Sequence, residues 1–388
     1  MKSKENQSVA AAPGSNDEHV VIKRLRARMA DEGFDALVAL SPDNVTYAAG
    51  FLVPSHASNR FRRTMTVIAK NNVAVQIVVS VELAQAQQRS RFKDVRSYDQ
   101  FNDQPARVLA GVLSDAGLAN SRIADELDYL PARDFILLKS LLPNATFEEC
   151  DQIYFKERMV KTDEELEILR EIGIHTETVL GRVARQIRAG MTEIDVSRPI
   201  VDEMVAFGSA TVKYRVGSGI NSSITNCGTT SKVIEAGDII RIEVLGDYKN
   251  YRSNVTRTLV VGSPTRRQKD IWATLISARE TCQSMARPGL PVADLYRKYA
   301  ELCRASGVEP TLQFLGHGIG QTIHEEPYIT ERRDTVFQPN MTFTMEPLLM
   351  LPAEKMGFHV EDMYLINETG CERITGNVFN NDELIEVG

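Results

Sequence analysis

A chain of 388 residues is long enough for two or three domains. Its 43% hydrophobic and 25% charged content is that of an ordinary globular protein; no run approaches the ~18 apolar residues of a membrane span and no charged-then-apolar leader opens it, so a cytoplasmic location is expected. A net charge of −7 disfavours a general nucleic-acid binder, and five scattered cysteines (Cys150, Cys227, Cys282, Cys303, Cys371) without a Cys-x-x-Cys pair point to reduced thiols, not disulfides or a zinc knuckle.

Residues 1–18 mix Lys, Ser, Ala, Gly and Asn without periodicity and are expected to form a mobile tail. From 19 to 153 helical and strand periods alternate. An amphipathic helix is predicted over Ile22–Glu32, with Arg24, Arg26 and Arg28 on its solvated face, then strands over Ala36–Leu40, Met65–Ala69 and Val73–Ser80. Helices fit Gln104–Ala116 and Pro131–Leu142, with strand-like Arg122–Glu126 between them and Ala145–Glu149 after, which makes a self-sufficient α/β domain. A second domain is placed over 154–388. Thr162 stands three residues before Glu165 there, the signature of a capped helix start. Two helices (Asp163–Arg188, Glu193–Phe207), a strand hairpin, two more helices (Thr265–Ala286, Val292–Ser306) and a closing run of strands give an α+β arrangement.

The hairpin can be placed more closely. Ile239–Gly246 and Tyr251–Val260 flank Asp247-Tyr-Lys-Asn250, and a turn centred between Tyr248 and Lys249 would set Glu243 opposite Asn254 on one sheet face. Alternation sends Ile242 and Val244 to one side and Arg241 and Glu243 to the other. The plain reading of that polar side is a half-exposed, solvated pair.

Five short motifs follow in order: Gly237-Asp-Ile-Ile-Arg-Ile-Glu243, Ser253-Asn-Val-Thr-Arg-Thr258, Phe314-Leu-Gly-His-Gly-Ile-Gly-Gln-Thr-Ile-His-Glu-Glu-Pro327, Thr342-Phe-Thr-Met-Glu-Pro347 and Gly357-Phe-His-Val-Glu-Asp362. Each alone is weak; the ordered set resembles the pita-bread fold hydrolases, which include Xaa-Pro aminopeptidase, prolidase, creatinase and ectoine hydrolase. The resemblance runs from about Asp163 to Thr375, and the first domain is similar to the N-terminal domain of creatinase and prolidase. It implies a pita-bread C-terminal domain, a creatinase-like α/β N-terminal domain, hydrolysis of a carbon–nitrogen bond, and a homodimer whose N-terminal domain contributes to the neighbouring active site. Where the peptidases carry Asp, Asp, His, Glu and Glu as metal ligands, this chain has Glu243, Asn254, His317, Glu346 and Glu361. His324 corresponds to a substrate-contacting His, and Asn226 stands where a further active-site His is absent. Phe61-Arg-Arg63 resembles the Phe-x-Arg with which creatinase holds a substrate carboxylate, a task suited to the planar fork of Arg63; the plain alternative is a solvated Arg62 and Arg63.

Three carboxylates in one pocket need compensation, since each like-charged pair at about 4 Å and an effective dielectric near 20 costs on the order of 4 kcal/mol. A metal, retained protons or a cationic substrate group would supply it. Asn254 lacks the charge that bridging two ions requires, so the expectation is no cofactor and no dinuclear centre, with a single divalent ion on His317, Glu346 and Glu361 left open. The leading expectation is a creatinase-like hydrolase of a non-peptide amidine, guanidine or amide in a small carboxylate-bearing substrate. Glu243 would be base or nucleophile, His317 or His324 would protonate the departing nitrogen, and Glu346 and Glu361 would hold the cationic group. Asn226 and Asn254 would bond to substrate, alongside Phe61 and Arg63. The alternatives are a metal-dependent Xaa-Pro peptidase with an altered or mononuclear site, and a silent relative that binds peptide or protein. No nucleic-acid or membrane partner is expected. Cys227, Ser222 and Ser223 lack a base and read as loop residues; Tyr214, Tyr251 and Arg257 read as structural support.

Overall fold

The computed structural model describes residues 18–59, 61–379 and 381–388. The tail expected over 1–18 lies, except for its last residue, outside them. Contacts divide the chain between Ile153 and Tyr154 into two units.

The first unit runs α1 (Val20–Asp31), β1 (Ala36–Ala39), α2 (Pro42–Ala49), α3 (Pro54–Ser58), β2 (Met65–Ala69), β3 (Ala74–Val79), α4 (Leu83–Arg89), β4 (Asp94–Tyr98), α5 (Pro105–Asp115), β5 (Arg122–Asp125), α6 (Ala132–Leu141) and β6 (Thr146–Glu149). One six-stranded sheet has the order β4-β3-β2-β1-β5-β6, parallel except that β2 runs against both its neighbours. Every residue of β1 and β2 is buried, as strands covered on both faces require. Sequence periodicity passed over α2, α3, α4 and β4. The edge strand β4 reads Asp-Val-Arg-Ser-Tyr and buries only Tyr98, so it carries no apolar stripe. The start of α2 did carry a signal: Ser41 Oγ accepts the N–H of Asn44 at 3.1 Å, with Pro42 at the first helical position.

After α7 (Asp151–Met159) the second unit continues with α8 (Asp163–Ala184), α9 (Glu193–Phe207), β7 (Val212–Ser218), β8 (Ile239–Tyr248), β9 (Tyr251–Arg252), β10 (Val255–Val261), α10 (Arg266–Met285), α11 (Val292–Ala305), β11 (Gly316–Gly318), β12 (Glu325–Ile329), β13 (Thr342–Met345), β14 (Leu348–Leu351), β15 (Met356–His359), β16 (Asp362–Ile366), β17 (Cys371–Arg373) and β18 (Ile385–Val387). Helices α8, α9 and α10 each open with a reciprocal capping box, Thr162–Glu165, Thr192–Asp195 and Thr265–Gln268. Two main sheets carry the unit, β18-β10-β8-β7 and β12-β11-β13-β16-β17. Ile240, Ile242 and Val244 of β8 pack with Ile172, Leu180, Ile200 and Met204 of α8 and α9 in one core. Trp272 of α10 and Tyr299 of α11 pack with Phe343, Phe358 and Tyr364 in another. Each such buried side chain contributes roughly 1.5–3 kcal/mol, so the helices fix which sheet face remains for polar groups.

The hairpin register differs from the expected one. The turn is Lys249-Asn250, both at positive φ (50° and 67°), closed by the pairs Tyr248↔Tyr251 and Asp247↔Arg252. This two-residue primed geometry matches the twist of the strands, and it shifts the pairing so that Glu243 faces Thr256, not Asn254. Asn254 falls between β9 and β10, two residues before Thr256. A two-bond bridge between Thr256 and Glu361 (N–H to O, 3.2 Å each way) then links the two main sheets at the acids.

Candidate active site

Arg215, Glu243 and Thr256 occupy one cross-strand row of β7, β8 and β10, and the Thr256 bridge extends that row to Glu361. Glu243 and Arg241 are both buried on this face, so the solvated-pair reading fails. Arg241 donates to the carbonyls of Ile224 and Thr225 (2.6 and 2.7 Å) and braces the loop after β7. Glu243 Oε1 accepts from Arg215 Nη1 at 2.7 Å. Thr256 Oγ1 donates to Glu361 Oε2 at 2.9 Å, which leaves Glu361 Oε1 without a partner.

From the second sheet comes His317, fully buried on β11. Its flanking glycines are sterically required. A Cβ at Gly316 would meet the Thr344 carbonyl oxygen at 1.9 Å, and one at Gly318 the Glu326 carbonyl oxygen at 2.2 Å. His317 Nδ1 lies 3.0 Å from the Gly318 carbonyl oxygen, which can only accept, so Nδ1 carries a proton and Nε2 is turned inward. Nε2 is then 3.1 Å from Glu346 Oε1 and 3.9 Å from Glu361 Oε1. None of these three atoms has a hydrogen-bond partner among the described residues, nor has Asn254 Oδ1.

Three ligand-type atoms within 4.8 Å of one another need a proton or a cation among them. Burial raises Glu346, but the imidazoles of His317 and His359 outweigh it and hold its pKa down at about 2. Burial, then the charges of Glu346 and Glu243, push Glu361 well above the carboxylate range. The pocket thus carries a proton on Glu361 or an ion in its place. One imidazole nitrogen and two carboxylate oxygens suit a divalent ion, and an amide oxygen from Asn254 is a competent further donor to a hard cation. This donor set fits the single divalent ion that the sequence left open.

His324 is exposed and stacks on His317 with centroids 3.8 Å apart. Loss of water on the stacked side, then the charge of His317, lowers its pKa to about 4. Glu325 beside it is buried between Lys161 and Arg158, 2.6 Å from each, which anchors the strand start. Asn226 is exposed on the loop after β7. Glu193, fully buried, pins that loop by accepting from Ser218, Asn221 and Thr230. Phe61 and Arg63 belong to the first unit. Phe61 is 82% exposed, and Arg63 lies over the Tyr129 ring at 5.7 Å.

Two site residues escaped sequence reasoning. His359 is buried with Nε2 3.5 Å from Glu346 Oε2; its position two residues before Glu361 was the available signal. Arg215 was missed because β7 itself was not placed. Arg257, by contrast, serves as the support expected of it, donating to the Glu361 carbonyl at 2.9 Å and to Asp362 Oδ1 at 2.8 Å.

The family model for metallopeptidase family M24 matches residues 167–368, just over half of the chain, and that of the creatinase/prolidase N-terminal domain matches 22–160. The chain belongs to metallopeptidase family M24. That places it among hydrolases of carbon–nitrogen bonds with the two-domain pita-bread architecture. It is 29% identical over 363 residues to a probable dipeptidase PepE of Mycobacterium tuberculosis, covering 92% of this chain and 94% of that one. It is 25% identical to a creatinase of a Bacillus species, covering 91% and 89%. The solved X-Pro aminopeptidase of Thermotoga maritima superposes with a TM-score of 0.82 at 28% identity, covering 95% of this M24 chain and 99% of that one.

Proposed function

We propose that this M24 protein hydrolyses the amide bond of short peptides of the Xaa-Pro type, with one divalent ion held by His317, Glu346 and Glu361 and completed by Asn254. The observation that carries this reading is the convergence of three buried, partnerless donor atoms within 4.8 Å. Relatives named as dipeptidase and X-Pro aminopeptidase favour it over the creatinase-like reaction on a non-peptide bond, although a creatinase is also a relative.

When bound, such an ion supplies Lewis acidity toward the carbonyl and lowers the pKa of water. The residues do the rest. Glu243, anchored through one oxygen to Arg215, has its second oxygen for the proton of the attacking water as the carbon–oxygen bond forms. His324, at the exposed side of His317, hydrogen-bonds the substrate near the departing nitrogen, which gains a proton as the carbon–nitrogen bond breaks. The test is turnover of Xaa-Pro dipeptides and of guanidino acids by the purified chain, before and after a chelator and after metal return. Dipeptide turnover lost on stripping and restored on reloading is expected; turnover by metal-free protein, or of guanidino acids alone, would overturn the reading.

A further inference from the structure

We infer that Arg215 is a built-in cation of this site: its guanidinium takes the place beside Glu243 that a second divalent ion would need, and so limits the chain to one bound ion. The inference rests on the one-ion reading above.

The contact belongs to the sheet. Arg215 and Glu243 are direct cross-strand partners on β7 and β8, and their side chains meet at 2.7 Å. Directly opposed residues share a face and a fixed spacing, so the guanidinium is delivered to the carboxylate by register. The acids fall into two sets. Glu346 and Glu361 converge with His317 on partnerless atoms, while Glu243 lies outside that group of mutually close donors and has a cation of its own.

Charge accounting points the same way. Glu243, Glu346 and Glu361 carry three negative charges when ionised. Arg215 and one divalent ion bring three positive ones, and Asn254 adds nothing. A second divalent ion would leave an excess of two positive charges beside the guanidinium. Arginine suits the role because it is charged at every working pH, so neutralisation of Glu243 does not depend on conditions. Exposure grades outward, from none at Glu361 to 11% at Glu243 and 33% at Arg215. Arg215 therefore lies toward solvent from the acid it pairs with.

The test is equilibrium dialysis of the chelator-stripped full chain against Co2+, with bound metal counted by elemental analysis. Wild type and Arg215→Lys are expected to saturate at one equivalent, and Arg215→Met to take up a second, weaker one. Glu243→Gln is expected to keep the affinity for the first ion within about three-fold, because Glu243 is not its ligand. Two equivalents in wild type, one in a folded Arg215→Met, or a ten-fold loss in Glu243→Gln would each overturn the inference. Glu361→Gln separates the layers: if it binds Co2+ as wild type does, the three-ligand pocket itself is wrong and the inference falls with it.

Discussion

Glu243 is paired with a cation, Arg215, and shares a cross-strand row with Thr256, which bridges to Glu361 of the metal-type pocket, and its proposed chemistry follows from that double setting. A divalent ion about 4 Å from a guanidinium would be repelled by on the order of 8 kcal/mol at an effective dielectric near 20, a repulsion comparable to the attraction that Glu243 itself would offer such an ion, so the Arg215–Glu243 pair weighs against a second ion there. The role proposed for Glu243 is proton transfer. Glu243→Gln keeps size and the hydrogen-bonding oxygen but removes the base, and kcat should fall about 10²–10⁴-fold with the melting temperature little changed. Activity within a few-fold of wild type would return Glu243 to a purely structural place. His359 adds the other half of the residue-level logic: with His317 it flanks Glu346, so one carboxylate stays charged while its neighbour Glu361 is driven toward the protonated form.

At the scale of elements, the strands that carry the site leave little tolerance. Alanine at Gly318 would press its methyl on the Glu326 carbonyl, a backbone atom that cannot swing away. Gly318→Ala should destabilise by about 1–3 kcal/mol, as overpacking does, read as a lowered denaturant midpoint; an unchanged midpoint would mean that β11 and β12 are free to separate. The same strands show what was legible in the sequence. Helices α8 to α11 announced themselves through apolar periodicity, and α8 also through a Thr–x–x–Glu start. The motifs around His317, Glu346 and Glu361 stood out as ordered residues with a known frame. Positions that depend on register or on polar strands did not. Lys249 and Asn250 together in the left-handed region shift the hairpin by two positions, a choice of turn that sequence alone left open. Strand β7 mixes exposed and buried residues without a clean stripe, so Arg215 stayed hidden with it.

Across the whole chain, buried charge is handled in two ways. Asp362 is compensated by Arg257, Arg279 and Arg373 behind the site, whereas Asp125 in the first unit is fully buried with neither oxygen bonded among the described residues. Burial, then the charge of Glu126, raises Asp125 to about 8. The folded state therefore holds a proton that the unfolded state releases near pH 3.8, and stability contributed at this group falls as pH rises from about 4 to about 8. Asp125→Asn should match wild type near pH 4 and gain on it progressively up to about pH 8 in thermal unfolding. A difference that stays constant with pH would refute this assignment.

The Lys249-Asn250 tip has a consequence beyond its own conformation. Because both strands count outward from it, the tip works as the zero mark of a ruler on which Arg215, Glu243, Thr256 and Glu361 are graduations. Lengthening the tip by one residue, if the extra residue were taken up in the pairing, would slide Thr256 off its mark and turn Val255, Leu259 and Val261 of the same strand out of the core they share with α8 and α9. The length of a surface turn is thereby coupled, through the count of residues along two strands, to the spacing of the acids.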